Sequence, residues 1–325
     1  MKYFVTGATG FVGNALTRRL AAAGQEVHAS VRDPAKGREL ADLGVKLFPG
    51  DVTEKESLRA AMRGVDGVFH VAGWYKVGTR NKRDGERVNI QGTRNVLELM
   101  KELEVRKGVY TSTLAVNSDT HGILVDENYH FTGKHLSEYD RTKAAAHDIA
   151  DQMIANNLPL VIVMPGLIYG PGDTSSLRPY ILQYLQRKLP ALPRRTALCW
   201  AHVDDIAHAH WLAMEKGRPG ETYIIAGEPS ELARTFDLAQ EITGIPAAAK
   251  ISPGMLSLAS WLVEPFEKFI RLPETYTAEG LRILAGVTYI GDNSKARREL
   301  GYSPRPLREG FKETLEHEMS LLGMK

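Results

Sequence analysis

Residues 3–16 read YFVTGATGFVGNAL and place Gly7, Gly10 and Gly13 three residues apart. The apolar run before Gly7 is typical of a buried strand, and the segment from Gly13 to Gly24 is typical of a helix. Gly7 permits a tight turn, Gly10 lets the backbone approach a pyrophosphate, and Gly13 allows close packing of helix on strand. The first N–H groups of such a helix face an anion, so this stretch predicts a nucleotide site. The residues predicted to form it are Gly7, Thr9, Gly10, Phe11, Val12 and Gly13.

The chain after this turn alternates between strand-like and helix-like segments with short connections. EVHASVR, GVFHVAG and GVYTSTLAV are typical of strands, whereas EKESLRAAMRG and NIQGTRNVLELMKELE are typical of helices. This alternation predicts an α/β fold of the Rossmann type, a doubly wound parallel sheet. We expect a nucleotide-binding domain over residues 1–165. Residues 166–325 are expected to form mainly a smaller substrate-binding lobe, with some segments returning to the main sheet.

Composition places the protein among ordinary globular proteins. The chain has 325 residues, a formal net charge of +2 and one cysteine, Cys199. So balanced a charge does not favour nucleic acid as a partner, and a single cysteine excludes an internal disulfide. The apolar stretch over 255–270 is too short to span a membrane and is interrupted by charges and a proline, so it predicts an amphipathic or buried helix without stable membrane insertion. We expect a cytoplasmic protein.

The choice of nucleotide depends on the end of the second strand, which reads Val31, Arg32, Asp33, Pro34. A carboxylate there accepts a hydrogen bond from the ribose of NAD, whereas a cation accommodates the 2′-phosphate of NADP. Asp33 lies twenty residues past Gly13, which leaves NAD possible. Arg32 and Lys36 flank it, and a guanidinium suits a phosphate. The sequence therefore favours NADP, with Arg32 and Lys36 as cofactor-binding residues.

The segment YDRTK places Tyr139 and Lys143 four residues apart, on one face of a helix. A nearby ammonium favours the phenolate, so we expect it to lower the pKa of the phenol. Ser137 is positioned to cap the helix, which would put Tyr139 in its first turn. The pair predicts proton transfer in the interconversion of a carbonyl and an alcohol.

The same spacing occurs in YLQRK, where Tyr184 precedes Lys188. Spacing alone therefore does not identify the catalytic pair. Tyr139 follows the strand GVYTSTLAV, which ends in hydroxyl donors, whereas Tyr184 lies in the less regular second half. We therefore predict that Tyr139 is the acid–base group and that Tyr184 packs or is solvated.

These motifs together resemble the extended branch of the short-chain dehydrogenase/reductase superfamily, the NAD-dependent epimerase/dehydratase family. TGATGFVG, GDVTE, HVAG, VNIQGT, TST, YDRTK, PGLIYGPGD and HVDDIAHAH occur in the order of that family across nearly the whole chain. Within the branch, the chain is most similar to dihydroflavonol-4-reductase-like proteins and to a bacterial group of hopanoid-associated sugar epimerases. The resemblance implies an enzyme with a nicotinamide cofactor.

The resemblance also implies roles for individual residues. Thr113 corresponds to the catalytic hydroxyl, with Ser112 as the fallback, Tyr139 to the acid–base and Lys143 to its activator. Arg32 stands where NADP-using reductases carry arginine, and Asn89 corresponds to an asparagine that supports the site. Further cofactor contacts are implied for Asp51, Val52, Val71, Ala72, Gly73, Pro165, Gly166, Leu167 and Ile168. A homodimer through the helices of residues 90–105 and 139–155 is implied as well.

Other polar and aromatic residues have two readings each. Trp74 and Tyr75 follow HVAG and either line a substrate pocket or pack in the core, and Tyr169, Thr113 and Arg178 are further substrate candidates. Arg178 and Arg195 either bind a substrate diphosphate or are solvated. In HVDDIAHAH, His208 and His210 are two residues apart and do not share a helix face, so we expect no metal.

We therefore expect an NADP(H)-dependent oxidoreductase that reduces a ketone or aldehyde of a fairly apolar small molecule, aromatic molecules included. The alternative is a nucleotide-sugar epimerase or dehydratase with tightly bound NAD, in which the hydride returns to the same substrate. A third hypothesis is a binding or regulatory protein without turnover, against which the intact set of Thr113, Tyr139 and Lys143 argues. The substrate itself cannot be read from the sequence.

Overall fold

The computed structural model describes residues 1–79, 81–175, 177–267, 269–270, 272–273 and 276–324. Strands and helices alternate through the first half of the chain. The strands are β1 (Lys2–Thr6), β2 (Glu26–Val31), β3 (Lys46–Pro49), β4 (Gly67–His70), β5 (Gly108–Thr111) and β6 (Leu160–Pro165). The helices are α1 (Phe11–Ala22), α2 (Arg38–Ala41), α3 (Lys55–Met62), α4 (Arg83–Gly85), α5 (Gly92–Glu102) and α6 (Glu138–Ala155). Short 3₁₀ segments cover Pro34–Gly37 and Leu114–Asn117, and a π-helical segment covers Glu86–Gln91.

The second half contributes shorter strands and further helices. Its strands are β7 (Leu167–Tyr169), β8 (Leu192–Pro193), β9 (Ala197–His202), β10 (Thr222–Ile225), β11 (Glu228–Glu231), β12 (Lys250–Ile251) and β13 (Thr288–Tyr289). Its helices are α7 (Leu177–Leu185), α8 (Val203–Lys216), α9 (Leu232–Thr243), α10 (Pro253–Val263), α11 (Ala278–Ile283), α12 (Ser294–Leu300) and α13 (Leu307–Leu321). Among the described residues, none of these helices combines the length and the apolar character that crossing a membrane requires.

The central sheet has seven strands in the order β10-β6-β5-β4-β1-β2-β3. Every neighbouring pair is parallel. The strand order runs outwards from β1 in both directions, so the connections diverge between β1 and β4. This divergence creates a crevice at the carboxyl ends of the strands, where ligands bind in open α/β sheets. The predicted doubly wound parallel sheet is confirmed.

Both faces of the sheet are covered, which explains why its strands are apolar throughout. All six residues of β6 are buried. One core forms between the sheet and the helices α1 and α8, and a second forms between the sheet and the helices α3, α5 and α6. Because β10 pairs with β6, one strand of the second half completes the main sheet. The domain boundary at residue 166 stays a prediction.

A smaller sheet follows in the order β11-β9-β13, with β7 also paired to β9. A third core, built around Trp200, Phe236 and Phe311, packs beneath it. The parallel pairing of β7 with β9 places Leu167 opposite Trp200 and Tyr169 opposite His202. This sheet therefore carries the segment that follows β6 away from the carboxyl edge of the main sheet.

The glycine turn joins β1 to α1 with almost no free space. Gly7 has a φ of +71°, which glycine adopts without strain. A Cβ on Gly13 would lie 2.0 Å from the carbonyl oxygen of Gly7. Since the obstacle is backbone, α1 begins directly on the turn only with glycine at that position.

The substitution Gly13→Ala should lower the free energy of unfolding by about 3 kcal/mol, because the turn and the helix must move apart. The matched control is Gly254→Ala in α10, where an added Cβ meets nothing within 4 Å. The control should leave stability unchanged or raise it by up to about 1 kcal/mol. Denaturant unfolding measures both, and a Gly13→Ala protein with the wild-type midpoint would contradict the packing described.

Candidate active site

The carboxyl end of β5 meets the first turn of α6 beside the crevice. Ser137 is the N-cap of α6, and its hydroxyl accepts a hydrogen bond from the N–H of Asp140. Tyr139 accordingly lies in the first turn, as the sequence predicts. The cap therefore fixes the start of α6 and, with it, the backbone position of Tyr139.

Tyr139 and Thr113 form the first part of the site. The side chain of Thr113 lies close enough to the phenol of Tyr139 to lower its pKa, and its hydroxyl accepts from the N–H of Ala115 at 3.2 Å. Burial dominates over this effect of Thr113 and raises the pKa of Tyr139 to about 12. The phenol is thus fully protonated at neutral pH, which suits a proton donor to an oxygen that becomes negative.

Lys143 lies one helical turn further along α6 and is buried. Its Nζ donates to the carbonyl oxygen of Thr111 at 2.7 Å and to the hydroxyl of Tyr110 at 3.1 Å. Burial lowers the pKa of this ammonium to about 7. The side chain is therefore anchored on β5, which is the neighbour of α6 in the fold.

The pKa of Tyr139 moves in the direction opposite to the sequence prediction. We expected the ammonium of Lys143 to lower it, yet burial dominates and raises it. The physical reason is that Lys143 directs its donors at Tyr110 and Thr111. In this arrangement the two groups share a helix face, but the ammonium is held by the strand.

A chain of buried hydrogen bonds supports Lys143 from behind. The hydroxyl of Thr6 accepts from the N–H groups of Val71 and Ala72, both at 3.1 Å. Its own proton is therefore directed at Nδ1 of His70, 2.8 Å away, and Nε2 of His70 lies 3.1 Å from the hydroxyl of Thr93.

Tyr110 completes this chain. Its ring stacks on His70 with ring centroids 5.5 Å apart, and its hydroxyl accepts from Lys143. Burial lowers the pKa of His70 to about 3, so this imidazole is neutral and adds no positive charge near Lys143. The chain therefore ties the ends of β1, β4 and β5 to the ammonium without opposing its charge.

Two further imidazoles hold the end of β5 from the flanking helices. The Thr111 hydroxyl lies 2.8 Å from Nε2 of His210 on α8, whose Nδ1 donates to the carbonyl oxygen of Ile206. The Ser112 hydroxyl lies 2.7 Å from Nδ1 of His147 on α6. The hydroxyls of Thr111 and Ser112 are therefore bound to imidazoles. The hydroxyl of Thr113 is not, and its side chain lies beside Tyr139.

The glycine turn has the shape that a dinucleotide pyrophosphate needs. Gly10 is the N-cap of α1 and carries no side chain that could accept from the first-turn N–H groups. The first turn contains no acidic residue. Thr9 and Gly10 are exposed, whereas Phe11 and Val12 are half-buried. Because these donors are open to an anion and the helix dipole favours negative charge, the residues fit a nicotinamide dinucleotide.

Just after β2 lie one carboxylate that already accepts a hydrogen bond and two cations without a side-chain partner among the described residues. An oxygen of Asp33 accepts from the N–H of Ala35 at 3.0 Å and caps the short 3₁₀ segment after it. Arg32 and Lys36 are exposed, and within the described part of the chain neither side chain has a hydrogen bond or an ion pair. The structure therefore leaves two cations without side-chain partners, and a partly occupied carboxylate, at the end of β2.

The other residues implied by the resemblance line the same edge of the sheet or support it. Asp51 accepts from the N–H of Thr53 at 2.9 Å, and the carbonyl oxygen of Val52 accepts from Asn95 at 2.8 Å. The backbone N–H groups of Val71 and Ala72 are bound to Thr6, and Gly73 follows them in an exposed position.

Asn89 is the support that the resemblance implies. Its amide accepts from the N–H of Trp74 at 2.7 Å and donates to the carbonyl oxygen of Trp74 at 2.9 Å. It also donates to the hydroxyl of Thr142 at 3.0 Å. One buried side chain thus joins the segment after β4 to α6, next to Lys143.

The segment from Pro165 to Ile168 leaves the sheet next to β9. A Cβ on Gly166 would lie 2.2 Å from the carbonyl oxygen of Cys199, which explains the glycine at that position. Leu167 and Ile168 are half-buried. Contact of this segment with the nicotinamide stays a prediction.

The substrate candidates occupy different environments. Tyr75, in the segment after β4, is exposed. Its hydroxyl lies 3.4 Å from the hydroxyl of Thr174, in the segment after β7. Trp74 is half-buried. Tyr169 is buried, with its ring packed edge-on against Trp200 and Phe311, so it offers no open surface.

Arg178 has a structural partner. Its guanidinium donates to both carboxylate oxygens of Glu318, at 2.8 and 3.0 Å. Because Glu318 is buried, this pair joins α7 to α13 and restrains the arginine that was proposed for a diphosphate. The pair occupies Nε and one terminal nitrogen of Arg178, and a role for this residue in substrate binding stays a prediction.

The second tyrosine–lysine pair, Tyr184 and Lys188 in YLQRK, lies away from the site. Tyr184 is buried in the third core, where its hydroxyl donates to the carbonyl oxygen of Ile245 at 2.6 Å. Lys188 is exposed. The environment therefore agrees with the prediction that Tyr184 packs, and it places no strand hydroxyl beside this tyrosine comparable to Thr113.

A separate cluster brings ligand atoms of His202, Asp204 and Glu313 within 4.8 Å of one another. The guanidinium of Arg305 donates to Glu313 at 2.9 Å and to Asp205 at 3.0 Å, and it lies 3.9 Å from Asp204. Because this guanidinium already supplies a cation between the carboxylates, we assign the cluster no metal.

Sequence reasoning missed Tyr110, His147 and His210 as supports of the site. His147 had a detectable signal, since it follows Lys143 by four residues and therefore shares its helix face. Tyr110 and His210 had no such signal. His210 lies 99 positions from Thr111 in the sequence, and the fold alone brings the two together. Tyr110 likewise meets Lys143 only because α6 packs beside β5.

Comparison with known proteins gives a consistent result. The model of the NAD dependent epimerase/dehydratase family matches residues 3–226. Sterol demethylase protein B of Methylococcus capsulatus is 32% identical and aligns over 96% of each chain. A protein of Synechocystis sp., provisionally named a dihydroflavonol 4-reductase, is 31% identical over 95% of this chain and 92% of its own. The 4-hydroxy-2-methyl-3-oxo-4-farnesyl-3,4-dihydroquinoline-1-oxide ketoreductase of Stigmatella aurantiaca is 31% identical over 94% and 92%.

Solved structures agree with these sequence matches. The crystal structure of gox2253 superposes with a TM-score of 0.85 and 31% identity, and the match covers 99% of each chain. The likeness therefore extends over the second half of the chain as well as over the main sheet.

The buried imidazoles predict how stability depends on pH. Burial lowers the pKa of His210 from 6.5 to about 4. Between these values the unfolded chain binds a proton that the folded chain does not, so the free energy of unfolding falls as pH falls from 6.5 to 4. His210→Gln should make this dependence shallower by about 1 kcal/mol per pH unit.

Denaturant unfolding at a series of pH values tests this expectation. His121→Gln, at an exposed loop position, is the matched control and should leave the slope unchanged. Equal slopes for wild type and His210→Gln would show that His210 is not held neutral by burial.

Proposed function

The chain belongs to the NAD dependent epimerase/dehydratase family, as an enzyme of the extended short-chain dehydrogenase/reductase type, and we propose that it is an NADP(H)-dependent reductase. Its substrate would be a ketone or aldehyde of a fairly apolar small molecule, aromatic molecules included. The observation that carries the proposal is the placement of Thr113, just after β5, and Tyr139, in the first turn of α6, with Lys143 anchored on β5.

The names of the relatives support this class of reaction. One is named a ketoreductase with a farnesyl-substituted quinoline, and another is provisionally named a dihydroflavonol reductase. Both names describe a reductase, and the first names a ketone as the group that is reduced. We propose the same class of reaction, reduction of a carbonyl, for this chain, and neither of the two named substrates.

A bound nicotinamide dinucleotide supplies a hydride equivalent to the carbonyl carbon. The protein supplies the proton and the geometry. The phenol of Tyr139 donates its proton to the substrate oxygen as the carbon–oxygen double bond becomes a single bond, which leaves an alcohol and a phenolate. The hydroxyl of Thr113, which acts on the phenol of Tyr139, orients the same oxygen.

Lys143 then stabilises the phenolate electrostatically, because a buried positive charge interacts strongly with a new negative charge. The high pKa of Tyr139, about 12, keeps the phenol loaded with its proton before reaction. The buried hydrogen-bond partners of Lys143 hold the ammonium at the carboxyl end of β5, where that phenolate appears.

The alternative, a nucleotide-sugar epimerase or dehydratase with tightly bound NAD, requires cations for a diphosphate. Arg178 is engaged by Glu318, which weakens that reading at Arg178, whereas the Arg195 side chain has no partner in the described part of the chain. Cofactor content of the purified protein separates the two functions. Retained NAD with no net consumption of NADPH would contradict the reductase proposal.

Substituting Tyr139→Phe should reduce carbonyl-dependent oxidation of NADPH by about three orders of magnitude, because the proton donor is lost while the ring remains. A screen of apolar ketones and aldehydes, with NADPH and NADH oxidation followed in parallel, provides the assay. The matched control is Tyr184→Phe, which removes a hydroxyl at the same sequence spacing but outside the site, and should retain turnover. Equal activity of wild type and Tyr139→Phe would refute the assigned role.

Substituting Arg32→Ser should raise the dissociation constant of NADPH about 30-fold and change that of NADH by less than about threefold, because only NADPH carries the 2′-phosphate. Arg32 is exposed and has no side-chain partner in the described part of the chain, so folding should be unaffected. Quenching of protein fluorescence on nucleotide titration measures both constants. A parallel loss for both nucleotides would contradict a phosphate contact.

A further inference from the structure

The most exposed apolar surface of the described chain lies on α10 and the segment just after it. Trp261 is 70% exposed and Phe269 is 84% exposed. Their neighbours Met255, Leu258, Leu262 and Phe266 are exposed as well. We call these six residues the apolar face. The sequence predicts an amphipathic or buried helix here, yet the outward side of α10 is apolar.

The reason is that α10 buries only a narrow stripe. Leu256 and Ser260 face inward, and the Ser260 hydroxyl donates to the carbonyl oxygen of Ala278 at 2.9 Å. Met255, Leu258 and Leu262 follow one another at helical spacing on the opposite side. Contiguous apolar exposure of this kind marks an interaction surface in a folded protein.

A cationic cavity adjoins the first turn of α10. It has a volume of about 770 Å³ and is lined by four cationic side chains, Arg194, Arg195, Arg234 and Lys250, and by two carboxylates, Glu231 and Asp237, besides residues 252–254. Lys250 pairs with Asp237 at 2.6 Å. The three arginine side chains have no hydrogen-bond or ion-pair partner in the part of the chain that the structure describes.

We propose that the apolar face and this cavity together dock the protein on the surface of an anionic phospholipid bilayer. Aromatic and aliphatic side chains enter the boundary between headgroups and acyl chains, while the free arginines meet lipid phosphates. Charge complementarity selects this occupant, because cations beside an apolar face match anionic headgroups beside acyl chains.

The docking surface is connected to the candidate active site through α11. The apolar helix is bonded to Ala278, the first residue of α11, and the next residue, Glu279, accepts from the N–H of Glu138 at 3.0 Å. Glu138 directly precedes Tyr139. The docking itself goes beyond the proposed function and does not depend on it.

Vesicle flotation of the full chain, without substrate or cofactor, tests the proposal. The protein should float with vesicles in which about one third of the phosphatidylcholine is replaced by phosphatidylglycerol, and bind pure phosphatidylcholine at least about tenfold more weakly. Trp261→Ser combined with Phe269→Ser should weaken binding to the anionic vesicles at least about tenfold. Ile123→Ser combined with Leu124→Ser, at apolar positions elsewhere that are at least half exposed, is the control and should bind as wild type.

A second variant tests the cationic part. Arg194→Gln combined with Arg234→Gln should remove most of the preference for anionic vesicles, and circular dichroism should show that all variants are folded. Failure of wild type to float with anionic vesicles would overturn the proposal. A wild-type oligomer that the Trp261 and Phe269 changes dissociate, without vesicle binding, would overturn it in favour of a second copy of the chain.

Discussion

The buried ammonium of Lys143 is the group around which the site is organised. A charge removed from water is costly unless it is hydrogen-bonded, and this one donates to the hydroxyl of Tyr110 and the carbonyl oxygen of Thr111. Both acceptors belong to β5, so the helix that carries Tyr139 is bound to the strand that carries Thr113. The depressed pKa of Lys143, about 7, shows that burial still disfavours the charge. An anion beside the ammonium, such as a phenolate, would relieve part of that cost.

The neutral imidazoles follow from the same constraint. Hydroxyls at the ends of β1 and β5 need partners, and a protonated partner would repel Lys143. His70, His147 and His210 have pKa values lowered by burial to about 3, 4 and 4, so each bonds a hydroxyl without adding charge. The bonds to these imidazoles fix the hydroxyls of Thr111 and Ser112. The side chain of Thr113 is left beside Tyr139. The same burial makes the fold sensitive to acid, because each imidazole gains a proton on unfolding.

Sequence and structure agree where function is encoded locally. The turn from Gly7 to Gly13, the cap at Ser137 and the spacing of Tyr139 and Lys143 are properties of short segments, so the sheet and the catalytic helix could be predicted. Partners that meet through the topology could not, which is why Tyr110 and His210 were missed. The pKa of Tyr139 was predicted in the wrong direction, because helix spacing does not show that Lys143 bonds to β5. The exposure of α10 was also missed, since an apolar helix is normally expected to be buried.

The central claim is that the site moves a hydride from a bound cofactor to an external carbonyl. Single-turnover reduction of an apolar ketone with NADPH carrying deuterium at nicotinamide C4 tests this directly, with mass spectrometry of the product alcohol. The account predicts one deuterium on the former carbonyl carbon, from one face of the nicotinamide only. Recovery of all the label in the nucleotide, with alcohol absent and substrate merely epimerised or dehydrated, would contradict it.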